Sequence, residues 1–223
     1  MDNKIIDIVS RAVEGQAPSF DEAVALLSLD EKSPEATLVR AAANDIVRAK
    51  TDNSAIIYGQ IGVDVYPCEA ECQFCSFGRG HTTFDHHTVL DKDTILQKAH
   101  EFTKDGDLFG LWIMTMASFD RDWYLDVISY LRKELPASTN LYSNIGDCDA
   151  GYWCELKAAG LKGAYHVLRL GEGEVTKIDP ETRRATMRAI MDAGLDLQDC
   201  CEPIGPEHTP VQIAEHLFET VKK

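Results

Sequence analysis

The hydrophobic residues at the start of the chain recur with the period of an amphipathic helix. Ile5 and Ile8 fall on one helical face. Ser19 and Ser33 each precede a further periodic stretch, in the position that helix N-caps prefer. The sequence therefore predicts three helices before any strand, which form a helical extension over residues 1–53.

From residue 54 onward the pattern changes to apolar runs that alternate with amphipathic helices, which indicates βα units and a parallel sheet. The predicted strands are Ala55–Val65, Leu108–Thr115, Thr139–Ser143, Gly163–Leu170 and Leu195–Cys201. The predicted helices are Lys92–Phe102, Trp123–Glu134, Gly151–Ala159, Pro180–Ala193 and Pro210–Val221. Gly160 and Gly194 stand where helix C-caps are expected. We predict an α/β fold, with a partial (β/α) barrel over residues 54–223.

Three cysteines stand in one short loop directly after the first predicted strand. Cys68, Cys72 and Cys75 have the spacing C-x₃-C-x₂-C, and Phe74 precedes the last of them. Thiolates at short spacings of this kind hold iron–sulfur clusters. A cubane [4Fe–4S] cluster normally takes four protein ligands, so a lone triplet would leave one iron open to another ligand.

A zinc site and a disulfide framework are the alternatives for these cysteines. Zinc prefers four tetrahedral ligands, and His81, His86 and His87 follow closely enough to complete such a site. Ligand count alone therefore leaves zinc open. A disulfide framework is disfavoured, because the chain has seven cysteines, an odd number, and no signal-peptide pattern opens it.

Composition narrows the classes of function. The 223 residues, 44% of them hydrophobic, suffice for one substantial core. A net charge of −15 argues against a nucleic-acid partner, because affinity for phosphates depends on Lys and Arg. No apolar run approaches the roughly 20 residues that a membrane span needs. We expect a cytoplasmic protein that acts on small molecules and binds no membrane.

The cysteine triplet with Phe74 resembles the signature of the radical S-adenosylmethionine (radical SAM) superfamily. The N-terminal helices and the segments Leu90–Ile95, Leu168–Glu172 and Ile178–Pro180 resemble the biotin synthase-like group, which includes methylornithine synthase and a related hydrogenase maturase. The resemblance implies an enzyme that holds a [4Fe–4S] cluster and SAM. It implies reductive cleavage of SAM to a 5′-deoxyadenosyl radical, which abstracts hydrogen from a small metabolite or cofactor precursor, with a flavodoxin or ferredoxin as electron donor.

The same resemblance implies residues for each ligand. Cys68, Cys72 and Cys75 would ligate the cluster, and Phe74 would shield it near the adenine of SAM. The remaining cofactor-binding candidates are Arg169 and Glu172, which would orient SAM, Ile204, which would back the adenine, and Asn144, which could hydrogen-bond the ribose or the substrate. No residue is assigned to catalysis.

The chain departs from the family pattern in two ways. Five βα units are visible where the superfamily usually has six, so we expect that the last part of the barrel is missing and that a partner chain or a second copy completes it. The loop Met114–Ser118 also lacks the acidic residue that many relatives carry there. Both departures support an alternative, a non-catalytic zinc or iron–sulfur binding module with a truncated barrel.

Overall fold

The computed structural model describes residues 2–221 and contains eight helices and six strands within that range. In chain order the elements are α1 (Asn3–Val13), α2 (Phe20–Leu27), α3 (Pro34–Lys50), β1 (Tyr58–Val65), β2 (Thr88–Val89), α4 (Lys92–Thr103), β3 (Gly110–Thr115), α5 (Arg121–Glu134), β4 (Asn140–Asn144), α6 (Ala150–Ala158), β5 (Gly163–Tyr165), α7 (Pro180–Asp192), β6 (Asp196–Gln198) and α8 (Pro210–Val221). They divide into two units. One unit is Ile56–Asp199, and the other joins the residues up to Ala55 with those from Cys200 onward.

The helical unit contains α1, α2, α3 and α8. Its first three helices confirm the prediction from periodicity, and Ser19 begins α2 with a capping box in which Glu22 is the reciprocal partner. Ile5 and Ile8 are buried in a small apolar cluster. The domain boundary that we place after residue 53 stays a prediction. In the structure, α8 belongs to the same unit as the first three helices.

The other unit is built on one six-stranded sheet in the order β2-β1-β3-β4-β5-β6. All neighbouring pairs from β1 to β6 are parallel, and only β2 is antiparallel, at the edge beside β1. Helices α4, α5, α6 and α7 connect successive parallel strands. This confirms the predicted α/β fold with a partial (β/α) barrel.

Four strands are shorter than predicted, two of them by more than half, and one strand was not predicted. The run Gly163–Leu170 contributes only Gly163–Tyr165 to the ladder, and Leu195–Cys201 contributes only Asp196–Gln198. Leu168 is buried without belonging to a strand. The apolar residues after Tyr165 therefore indicate burial and not strand pairing. The unpredicted strand β2 has two exposed residues and therefore carries no hydrophobic pattern.

The two faces of the sheet have different contents. Ile61, Leu111 and Leu141 belong to the main apolar core together with residues of the helices. The opposite face carries rings in mutual contact: Tyr58 lies 5.1 Å from Trp112, and Trp112 lies 5.4 Å from Tyr165, between ring centroids. These rings occupy the interior face of the partial barrel, as alternation along a strand predicts for Tyr58.

Aspartates fix the points at which the chain leaves the sheet and begins each following helix. Helices α4, α5, α6 and α7 all begin with an aspartate whose side chain accepts a backbone N–H of the first turn; these residues are Asp91, Asp120, Asp149 and Asp179. Gly160 and Gly194 have positive φ after α6 and α7, which confirms their predicted role as helix ends. Within residues 2–221, the helices are all too short or too polar to span a bilayer.

Candidate functional site

The cysteine loop leaves the carboxyl end of β1 and turns back on itself. The backbone N–H of Cys68 donates to the Phe77 carbonyl oxygen at 2.7 Å, and that of Arg79 donates to the Cys68 carbonyl oxygen at 2.9 Å. This folding brings Cys68, Cys72 and Cys75 to the wall of one cavity of about 410 Å³. Parallel strand ends are where barrels collect functional loops.

The donor set at this cavity fits an iron–sulfur cluster. All three thiols are free of disulfides. Burial raises the pKa of the Cys72 thiol, and the positive charge of Arg169 opposes that rise. Cluster binding replaces the thiol protons, since the thiolate is the ligand. Three cysteine ligands would leave one iron of a cubane cluster for a further ligand.

The histidines that could have completed a zinc site are engaged elsewhere. Nε2 of His81 contacts the Cys75 carbonyl oxygen, and Nε2 of His87 lies 2.5 Å from Oδ1 of Asp64. His86 also lies outside the lining of the cysteine cavity. Over residues 2–221, no three His, Cys, Asp or Glu side chains, the cysteines included, are grouped so as to hold a single metal ion, whereas a cubane cluster takes each cysteine on a separate iron. The arrangement does not supply the four close ligands of a zinc centre.

The loop after β3 forms a second wall of the cavity, to which Thr115 and Met116 contribute. The Tyr66 hydroxyl donates to the carbonyl oxygen of Ser118 at 2.6 Å and accepts from its backbone N–H at 3.0 Å. The Ser118 side chain also hydrogen-bonds Glu69, next to the first cysteine. These hydrogen bonds therefore join the two loops.

Arg169 lies in the segment after β5 and not within a strand, which corrects the predicted strand Gly163–Leu170. It lines the cavity, and its guanidinium carbon lies 5.9 Å from the ring centroid of Phe74. Glu172 is buried, accepts the Arg169 backbone N–H at 3.1 Å and accepts the Thr176 hydroxyl at 2.6 Å. Glu172 thus stabilises residues 169–177, which we call the arginine segment. Glu172 does not itself line the cavity.

The arginine segment is attached to the cysteine loop through the backbone. The N–H of Gln73 donates to the Val175 carbonyl oxygen at 2.9 Å, and the N–H of Lys177 donates to the Ala70 carbonyl oxygen at 2.8 Å. We call this pair of hydrogen bonds the backbone clasp. It places the only stretch with three close cysteines beside the segment that carries Arg169.

Three further polar residues of the cavity were missed by the sequence analysis. Asp147 follows β4, His166 follows β5, and Arg183 lies in the first turn of α7; all three line the cavity. Nε2 of His166 lies 2.8 Å from Oδ1 of Asp147 and 2.6 Å from Nη1 of Arg183. Nη1 of Arg183 is 3.5 Å from the same Asp147 oxygen. We call these residues the Asp–His–Arg triangle.

Burial and charge set the protonation states of the triangle. Burial lowers the pKa of His166 to about 4, so the ring is neutral at pH 7. Burial opposes ionisation of Asp147, but the His166 hydrogen bond and the Arg183 charge leave its pKa below the usual value. Burial also lowers the pKa of Arg183, although a guanidinium keeps its charge. The cavity thus contains a charged pair and a neutral imidazole.

The other candidates from the sequence occupy different settings. Asn144 ends β4 and lines the cavity. Phe74 is 44% exposed and Ile204, in the helical unit, is 58% exposed. Neither of these two lines the cavity. Their roles toward SAM therefore remain predictions.

Comparison with known proteins gives relatives in one group. No protein-family model matches the chain. Biotin synthase from Desulforudis audaxviator (strain MP104C) is 26% identical over 206 residues, covering 86% of this chain and 60% of the relative. The chain therefore spans about 60% of the length of that curated relative.

Solved structures match the fold of almost the whole chain. Methylornithine synthase (PylB) superposes with a TM-score of 0.79 at 14% identity, covering 96% of this chain and 63% of that one. HydG, a maturase of the [FeFe]-hydrogenase, superposes with a TM-score of 0.76 at 17% identity, covering 99% and 51%. HydG from Carboxydothermus hydrogenoformans gives a TM-score of 0.78 at 15% identity, covering 99% and 53%. The sequence relative confirms the predicted resemblance to the biotin synthase-like group, and the solved structures show that the fold is shared.

Proposed function

We propose that this chain is a radical SAM enzyme that holds a [4Fe–4S] cluster through Cys68, Cys72 and Cys75. The observation that carries the proposal is that three free cysteines and two arginines line one cavity at the carboxyl ends of parallel strands. When bound, the cluster and SAM would supply one-electron cleavage of SAM to methionine and a radical that abstracts hydrogen from a substrate.

The residues of the cavity suit the parts of SAM. Arg169 and Arg183 present guanidinium groups, which pair with a carboxylate through parallel hydrogen bonds. The side-chain amide of Asn144 can both donate to and accept from the ribose hydroxyls. The backbone carbonyls of Met114–Ala117 and the Thr115 hydroxyl can accept from the ammonium group, in place of the acidic side chain that this loop lacks.

We further propose a small metabolite or cofactor precursor as substrate and a low-potential flavodoxin or ferredoxin as electron donor. The names of the similar proteins support the proposed class of substrate: a biotin synthase and a methylornithine synthase are, by name, enzymes of small-molecule biosynthesis. A partner chain or a second copy that completes the barrel is part of the same proposal.

Anaerobic reconstitution tests the proposed activity. The protein is loaded with iron and sulfide, reduced with dithionite and given SAM, and methionine and 5′-deoxyadenosine are quantified. We expect both products in equal amounts. A variant with alanine at Cys68, Cys72 and Cys75 should form neither, whereas Cys154→Ser, which changes an exposed cysteine on α6, should behave as the unaltered chain.

The alternative, a non-catalytic metal-binding module, predicts different results in the same experiment. The protein would return colourless with tightly held zinc, or would hold a cluster whose electron paramagnetic resonance signal does not respond to SAM. Either result would overturn the proposal. Once cleavage is established, candidate substrates can be ranked by how far each one stimulates it.

A further inference from the structure

The guanidinium of Arg183 reaches the cavity from a buried position. The residue is 5% exposed, and it extends from α7 to the cavity wall. Nη1 contacts His166 and Asp147, whereas Nε makes no hydrogen bond among residues 2–221 and lies 3.8 Å from Oε2 of Glu172. A guanidinium has five donors, and a carboxylate entering the cavity would add a charged acceptor for them.

The position of this guanidinium depends on a ring that belongs to another element. His166 is 2% exposed and follows β5, while Asp147 follows β4. Nε2 of His166 is within hydrogen-bond distance of both the aspartate and the guanidinium, and Nδ1 lies 3.4 Å from the same Nη1. A neutral imidazole has one donor and one acceptor, so Nε2 can donate to the carboxylate while Nδ1, 3.4 Å from Nη1, accepts from the arginine.

The charges around His166 explain why a neutral polar ring is suited to this position. From the elements packed against it, the ring faces Asp147, Arg183 and Arg169, and the Trp153 ring of α6 lies 6.3 Å away between centroids. A permanent cation here would repel both arginines, and an apolar side chain would leave the buried charges with one partner fewer.

We propose that His166 is a positioning residue that sets the Arg183 guanidinium for a carboxylate-bearing ligand in the cavity. This inference rests on the proposed function, with the carboxylate of SAM as the ligand group. His166 itself touches neither SAM nor the cluster in this role; it acts by fixing where the guanidinium points.

Carboxylate selectivity is the measurement that separates positioning from general structural support. We compare SAM with decarboxylated SAM, which keeps the adenosine, sulfonium and amine groups, by calorimetric titration of the reconstituted anaerobic protein. His166→Phe keeps a ring but removes both polar contacts. We expect it to lower the preference for SAM over decarboxylated SAM by about tenfold, the scale of one hydrogen bond to a charged group.

A conservative variant should restore the selectivity. The side-chain amide of His166→Gln supplies one donor and one acceptor at a similar reach, so we expect a preference within about threefold of the unaltered protein. The matched control is His87→Gln, which alters a histidine that contacts Asp64 outside the cavity. It should leave the affinity for SAM unchanged.

The outcomes distinguish the inference from the proposed function. Equal weakening of both ligands in His166→Phe, unchanged binding in that variant, or failure of a folded His166→Gln to restore selectivity would each overturn the positioning role. Should His166→Phe not fold, His166→Asn replaces it: its shorter amide falls short of Arg183, so selectivity matching that of His166→Gln would overturn the role. If the unaltered protein loads a cluster but binds no SAM, the proposed function fails and the inference fails with it.

Discussion

At the scale of single residues, the surroundings of Cys72 bear on its proposed role as a cluster ligand. Its thiol is half-buried beside Arg169, and burial raises its pKa while the arginine charge opposes the rise. The thiol is therefore protonated in the metal-free chain near neutral pH, and iron must displace a proton to bind.

Replacement of this proposed ligand should weaken cluster binding. In Cys72→Ser a harder, more weakly binding hydroxyl replaces the thiolate, so we expect less than about half the iron and sulfide of the unaltered protein after reconstitution and desalting. Iron and sulfide analysis with visible absorption checks this. A full complement of iron in Cys72→Ser, with Cys154→Ser also full, would contradict the ligand assignment.

The buried hydroxyl of Tyr124 should matter for stability more than for chemistry. It donates to the Ile113 carbonyl oxygen at 2.9 Å and lies 2.8 Å from the Ser143 hydroxyl. Tyr124→Phe removes the hydroxyl from both contacts, and we expect a loss of about 1–3 kcal/mol in the free energy of unfolding. Urea titration measures it. Tyr130→Phe, on the same helix but bonded to Asp93 at the surface, should change it by less than about 0.5 kcal/mol.

His166 should make stability depend on pH. Burial lowers its pKa from 6.5 to about 4, so between these values the unfolded chain binds a proton that the folded chain does not. The free energy of unfolding should therefore fall as pH falls from 6.5 to 4, by up to roughly 3 kcal/mol. Asp147, with its lowered pKa, adds a loss only at more acidic pH.

Urea titrations at pH 7, 6 and 5 test this dependence. His166→Gln has no titratable group at this position, so its free energy of unfolding should change less over that range. Parallel curves for the two proteins would show that other groups carry the dependence.

The sequence predicted some residues of the cavity and not others. Cys68, Cys72 and Cys75 are recognisable because their spacing is local, and Arg169 because it belongs to a resembling segment. The Asp–His–Arg triangle has no such signal. Its members are single polar residues, 17 to 36 positions apart along the chain, and only the parallel arrangement of strand ends brings them together.

At the scale of elements, periodicity predicted helices better than strands. Helix α5 was predicted to start at Trp123 and starts at Arg121, since Asp120 caps it one residue earlier. The run Gly163–Leu170 was predicted as one strand because it is largely apolar. Its second half includes Arg169 and is buried without pairing in the sheet. An apolar pattern cannot distinguish this kind of burial from pairing in a sheet.

Gly146 lies where two loops approach closely, so a larger residue at this position should destabilise the protein. A Cβ atom at this position would lie 1.8 Å from the carbonyl oxygen of Ala117, so an added methyl group must push backbone apart. We expect Gly146→Ala to lower the free energy of unfolding by about 1–3 kcal/mol. Gly62→Ala is the control, because its Cβ would lie 3.4 Å from a Val65 methyl group in ordinary contact. Equal stability of the two variants in urea titration would contradict the close approach.

At the scale of the whole molecule, contacts between helices that lie far apart along the chain could not be predicted from the sequence. The Phe20 and Phe218 rings meet at 5.5 Å between centroids, which joins α2 to α8. Each helix carries an apolar face, but nothing in either local pattern specifies the partner of that face. The sequence analysis therefore assigned α8 to the barrel segment.

Net charge leads to a prediction for the molecule as a whole. With −15 at pH 7, the protein should repel phosphate backbones. We expect no binding to duplex DNA or RNA at concentrations up to about 10 µM in fluorescence anisotropy at low salt. A salt-sensitive rise in anisotropy below that concentration would contradict this expectation.

The backbone clasp links two events that are usually considered apart. Because main-chain hydrogen bonds tie Ala70 and Gln73 to Lys177 and Val175, the stretch that carries the proposed iron ligands cannot rearrange without displacing the stretch that carries Arg169. On the proposed function, delivery of metal and readiness for the small molecule would be a single maturation step. Protein harvested from iron-starved cells should show amide hydrogen exchange that is accelerated in both stretches together, and restored in both together when iron and sulfide are supplied.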